Sequence, residues 1–136
     1  MDKSLAIIIA VLIPVIITVV FIKLIRKRNE LLEIELNQEV IDSFIGGGRF
    51  VDGLVTTKLS YPFVQVRLYK DFMVISYFKK LVFKYTEINV KQTLRGLQVI
   101  HRNRSYPDKV YLSLFDNEQL VDFIRNHNND RISLPT

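Results

Sequence analysis

The sequence predicts an α+β protein that is mainly β: an N-terminal transmembrane helix and an amphipathic stalk helix, then a seven-stranded antiparallel barrel with one C-terminal helix. Three observations carry this reading. Nineteen residues without a charge run from 4 to 22. Five acids and no base follow at 29–45, with apolar residues at helical spacing. From Leu54 onward the apolar period changes from helical to alternating.

The first element is a transmembrane helix over 4–25. At ~1.5 Å of rise per residue, the uncharged run reaches about 28 Å, close to the thickness of a hydrocarbon core. A cleaved secretion signal would need a positive start, a shorter apolar stretch and a small-residue cleavage site. Here Asp2 offsets Lys3, and the run ends in "KLIRKR". Pro14 lies mid-span without an amide hydrogen, which predicts a mild kink that a side chain such as Thr18 helps to satisfy. Lys23, Arg26, Lys27 and Arg28 follow the span, against Lys3 and the terminal amine before it. This asymmetry predicts a single-pass protein of the cell membrane, with the N-terminus outside and the C-terminal domain cytoplasmic. The chain has no cysteine, so it has no disulfide framework and no thiol-based metal or redox site.

Residues 26–45 read as a juxtamembrane amphipathic stalk. Positions 31, 34, 38, 41 and 45 form an a/d pattern, but it covers only about two heptads, and Glu30, Glu35 and Asp42 would repel in a parallel pair. Docking on the chain's own domain is the better expectation. Residues 29–45 carry net −5 and residues 46–136 net +6, so the two attract, and Ile34, Ile41 and Ile45 seek cover. The glycines at 46–48, in a linker over 46–53, read as a helix stop and hinge. A phosphate-cradling loop would need the opposite order, strand before and helix after.

Seven strands are expected in a domain spanning 54–128, at 54–60, 63–69, 72–78, 81–85, 87–92, 97–102 and 109–115. Tight connections at 61–62, 70–71 and 79–80 predict antiparallel neighbours. "DNEQLVDFIRNHN" then opens a helix with Asp116 as N-cap and Gln119 three residues on, placing Leu120, Val121, Phe123 and Ile124 on one face. Residues 129–136 read as a polar tail.

This order resembles the pleckstrin-homology (PH) superfold, in particular the bacterial-type PH and GRAM-like domains. "VRLYKDFMVIS" is similar to that group's second and third strands, "LVFKYTEINVK" to its fourth strand and the turn into the fifth, and "VYLSLFDNEQLVDFIRNH" to its last strand and helix. The resemblance covers about 52–128. It implies a lipid-binding, peptide-binding or scaffolding module. Phosphoinositide-gripping members share a basic signature across their first two strands. This chain offers Lys58 and Arg67 but has Gln65 where the second basic residue would stand, and its "SYP" connection is short, which argues against phosphoinositide specificity.

Catalytic, metal-ligating and cofactor-binding constellations are not expected. His101 and His127 lack carboxylate partners at ligand spacing, and Asp108, Asp116 and Asp122 read as turn, cap and solvated helix positions. Nucleic-acid binding is not expected either, given the tether and the want of an aromatic–basic motif. The reading is a non-enzymatic adaptor that holds a protein partner at the membrane, through Phe72, Val74 and Phe78. Residues 72–78 are apolar on both faces, and a small barrel buries only one, so the stalk, a second copy of the chain or a partner must cover the other. The alternative is an anionic-lipid surface module. Lys79 and Lys80, in a turn better suited to Asn or Gly, would join Arg102 and Arg104 at one end of the barrel.

Overall fold

The computed structural model describes residues 2–94, 96–114 and 117–133, with side-chain environments up to residue 127. Helix α1, Lys3–Asn29, is long and apolar enough to cross a membrane, and none of its apolar window is buried among the described residues. Pro14 is accommodated inside it, and Thr18 Oγ1 donates to the Pro14 carbonyl at 2.8 Å. Seven strands follow: β1 Asp42–Asp52, β2 Val55–Leu68, β3 Phe72–Ser76, β4 Lys80–Lys84, β5 Asn89–Thr93, β6 Gly96–Ile100 and β7 Lys109–Leu114. Helix α2, Asn117–Ser133, ends the described chain.

The strands form one antiparallel sheet in the order β4-β3-β2-β1-β7-β6-β5, curled into a half-barrel. The barrel is therefore not closed by strand pairing between β4 and β5. Instead Tyr106 Oη takes the Val82 amide of β4 at 3.2 Å, and α2 packs on β5, β7 and a 3₁₀ turn at Tyr85–Glu87. Alternation fills the concave face, where Val64, Val66, Leu68, Met73, Ile75, Leu81, Phe83, Leu97, Val99, Val110 and Leu112 are buried. Leu120, Val121 and Ile124 of α2 join them, as the helical stripe predicts.

Several expectations need correction. The stalk helix over 26–45 does not form: α1 ends at Asn29, a single 3₁₀ turn spans Glu33–Glu35, and Asp42–Ile45 already belong to β1, opposite Leu68–Gln65 of β2. Strand pairing over long range and a buried contact of Glu35 outweigh a weak local helix preference. The glycines at 46–48 are not a hinge but the middle of β1. A Cβ on Gly46 would lie 2.3 Å from the Ser113 carbonyl oxygen, and one on Gly47 2.5 Å from that of Leu59, so only glycine lets the three strands approach this closely. Finally, the strands expected at 54–60 and 63–69 are one strand. Its pairing with β1 jumps from Gly48↔Leu59 to Gly46↔Val64, so residues 60–63 bulge, and Pro62 sits where no ladder amide is needed. The domain thus starts at Asp42 rather than at 54. The helix continues through Ser133 into the segment expected to be a tail, while Asp116 lies outside the described residues.

Candidate functional site

The convex face of β2 and β3 carries Gln65, Arg67 and Tyr69 beside Ser76, Val74 and Phe72, because side chains alternate along each strand. Onto this face the C-terminal end of α1 is bonded. A helix leaves its last carbonyls without intrahelical partners. Here Ser76 Oγ donates to the Arg28 carbonyl at 2.5 Å, Arg67 Nη1 to the same oxygen at 3.0 Å, and Arg67 Nη2 to the Glu30 carbonyl at 3.1 Å. Lys80 Nζ donates to the Lys27 carbonyl and, at 3.0 Å, to that of Tyr77. Arg28 in turn donates to the Pro62 carbonyl at 2.7 Å, and the Phe21 and Phe63 rings meet edge to face at 5.1 Å.

Arg67, only 3% exposed, is held by Glu35: Nε to Oε1 at 2.6 Å and Nη2 to Oε2 at 2.9 Å. Tyr69 Oη donates to Glu35 Oε1 at 2.7 Å and the Leu32 amide to Oε2 at 2.7 Å, so the carboxylate is saturated. Burial pushes the Glu35 carboxyl up, but Arg67, the Leu32 amide and Tyr69 more than offset it and hold it below the ordinary range. Burial, and then the Glu35 charge, raise the Tyr69 phenol to about 12. Burial lowers the Lys80 ammonium to about 8, with Arg67 adding in the same direction.

The residues singled out in the sequence divide accordingly. Lys80 leaves the proposed basic cluster, since its amine is committed to the α1 terminus. Lys79 stays exposed and lines a recess of about 250 Å³ with Phe78 and Pro107, while the Gly53 amide donates to Asp108 Oδ2 at 3.3 Å. The β1–β2 tip, the β3–β4 turn and the 101–108 connection therefore share one end of the half-barrel. Arg102 and Arg104 are exposed on that connection, with Arg102 beside Phe83 and His101 in a separate recess. Val74 is wholly buried under the α1 side of the sheet and presents no partner surface, while Phe72 is half-buried and stacks on Tyr69 at 4.8 Å. Phe78 is 40% exposed. His101 accepts from the Asn103 amide at Nδ1, which leaves Nε2–H to donate to the Pro107 carbonyl at 2.7 Å. His127 Nε2 meets the Lys70 carbonyl at 2.8 Å. Both rings thus hold backbone, His101 within its own connection and His127 across the fold.

The junction of Arg67, Glu35, Tyr69 and Ser76 was not foreseen. Its one sequence signal is Arg67 inside the apolar run "FVQVRLY", a charge that needs a buried partner.

No family model matches the chain, and no curated protein matches it. Among solved structures it is similar to the crystal structure of the C-terminal domain of an unknown protein from Leishmania infantum, at 12% identity and a TM-score of 0.47, over 66% of this chain and 84% of that one.

Proposed function

We propose that the protein is a non-enzymatic, single-pass membrane module whose PH-like half-barrel is held against the anionic cytoplasmic leaflet, with its N-terminus outside. The observation that carries this reading is the bonding of the α1 carbonyl end to Arg67, Ser76 and Lys80, which removes free tumbling of the domain about its anchor. It also sets the domain's pose. Phe63 meets α1 at Phe21, near the end of the uncharged run, whereas Arg67 and Ser76 meet it at Arg28, beyond that run. The sheet end that bears the β3–β4 turn and the β1–β2 tip then faces the bilayer. That end carries fully exposed Leu54, exposed Val55 and Phe78, and Lys79, an apolar tip beside a cation of the kind that rests at an anionic interface. The seven antiparallel strands and closing helix support the PH resemblance, and Lys23, Arg26, Lys27 and Arg28 support the cytoplasmic side.

Because the chain has no cysteine, single reporters can be placed at will. An environment-sensitive fluorophore on Leu54→Cys, in full-length protein in anionic nanodiscs, is expected to report lipid contact. The same fluorophore on Glu118→Cys, near the opposite end, is expected to report water. Equal, watery signals from both overturn the reading.

A second reading, the protein adaptor, is favoured by one observation. Leu36, Val40 and Ile41 are exposed on the segment leading to Asp42, which pairs with Leu68 at the sheet end away from the bilayer. Lipid does not reach them, so a protein partner is their natural cover. A photo-crosslinker at Leu36 in intact cells is expected to capture one discrete partner, and a smear identical to that from Glu118 counts against it.

A further inference from the structure

We propose that the groove between β1, β2 and β7 on the convex face binds a phosphate group. This inference rests on the membrane-apposed pose for the phospholipid as its source, but not for the chemistry. The groove has a volume of about 540 Å³ and is lined by Arg49, Lys58, Tyr61, Tyr111, Ser113 and Leu114 over the backbone of Gly46–Gly48. Arg49 pairs directly across the ladder with Lys58 on one side and Tyr111 on the other, so the three side chains share a face. Like charges directly opposite one another destabilise a sheet unless something lies between them.

Among the described residues nothing balances this pair: no described Asp or Glu lines the groove, and the ion pairs there are Lys27–Glu30 and Arg67–Glu35. Arg49 Nε is buried and has no hydrogen-bond partner among those residues. A buried N–H without an acceptor is costly, and an arginine fork with a lysine beside it is the donor set that a phosphate satisfies. The glycines, required for close strand approach, also leave a floor without side chains, so an anion can come down onto the β1 backbone. The groove is also placed to be reached from lipid. Lys58 lies three residues from Val55 of the bilayer-facing tip, about 10 Å along a strand. Tyr61, on its rim, adjoins the Pro62 carbonyl held by Arg28. Leu114 and the tyrosine rings suit the glycerol and upper chain of a phospholipid.

The test uses delipidated full-length protein in detergent, with bound ligand counted by native mass spectrometry. The arms are phosphatidylglycerol, phosphatidylcholine and soluble glycerol phosphate. Wild type is expected to retain phosphatidylglycerol above phosphatidylcholine, and Arg49→Gln/Lys58→Gln to lose about tenfold or more in occupancy. Lys58→Gln alone changes an exposed side chain and serves if the double variant does not fold, with an intermediate loss expected. Arg49-dependent binding of glycerol phosphate but not of phosphatidylglycerol supports the phosphate site and assigns its source to solution. Retention unchanged in the folded variants, in every arm, overturns the proposal. The Leu54→Cys fluorophore separates the two readings: a lipid-immersed tip with Arg49-independent binding sinks only the groove, and a watery tip with Arg49-dependent binding sinks only the pose.

Discussion

Arg67 and Arg49 are two arginines on the convex face of the same half-barrel, and they are treated oppositely. Arg67 spends its guanidinium donors on Glu35, Gln65 and the carbonyl ends of α1, while Arg49 faces a lysine and leaves a buried Nε with no acceptor among the described residues. The difference separates structure from binding. A charge that the fold has already satisfied is a strut whose removal damages the fold. A charge that the fold leaves in want is an appeal to something outside it.

The comparison breaks most sharply at Arg67. Removing it strands the Glu35 carboxylate in a dry site, so Arg67→Ala is expected to lose about 3–5 kcal/mol of domain stability, measured by denaturant unfolding of the full chain in detergent. Arg67→Met combined with Glu35→Leu is expected to recover most of that loss, because it removes both charges together. A single-variant loss below about 1 kcal/mol would contradict the strut role.

Next is the close strand approach between the two sites. Gly47→Ala sets a methyl against the Leu59 carbonyl, and a loss of about 1–3 kcal/mol is expected in the same assay, because the atoms it meets are backbone and cannot rotate away.

The two sites are also distinguished by pH. Glu35 is held below its ordinary range in the folded protein, so its contribution is present above the unfolded carboxylate value of about 4.3 and is lost as pH falls through the folded one. Glu35→Gln is expected to flatten that acid limb of the melting temperature, while Arg49→Gln leaves it in place. Lys80 gives a slope of the same sign for the opposite reason, since burial penalises its charged form instead of favouring it. Its folded value of about 8 lies below the 10.5 of a free lysine, so between these values the unfolded chain binds more protons and stability rises with pH. Lys80→Met should remove that rise, and its persistence would mean another group supplies it.

The smallest effect sharpens the contrast. Arg49→Gln is expected to change stability by about 0.5 kcal/mol or less, because it relieves a like-charge pair as it removes a buried donor. A loss as large as that at Arg67 would mean that Arg49 is also a strut.

Much of this architecture is legible one residue at a time. The uncharged run at 4–22 specifies a long apolar helix, because nineteen consecutive uncharged residues leave no polar face. The alternation of Val64, Val66 and Leu68, and of Met73 and Ile75, specifies strands with one core face, and "LVDFI" specifies the closing helix. These signals are local, carried by neighbours within one or two turns of chain. The segment at 26–45 is different. Its apolar spacing favours a helix, yet a helix there would forgo the pairing of Asp42–Ile45 with Leu68–Gln65 and the burial of Glu35 against Arg67, whose partners are twenty or more residues away. The glycines at 46–48 likewise look like a hinge until Ser113 and Leu59 are set against them. Whether Lys80 belongs to a wet turn or to the α1 terminus, and whether Arg49 has a counter-charge, depend on where distant strands place carbonyls and carboxylates. Composition and period determined which residues turn inward. Only the tertiary structure decided which charges found partners, because a charge in sequence has no address until the fold brings its neighbours to it.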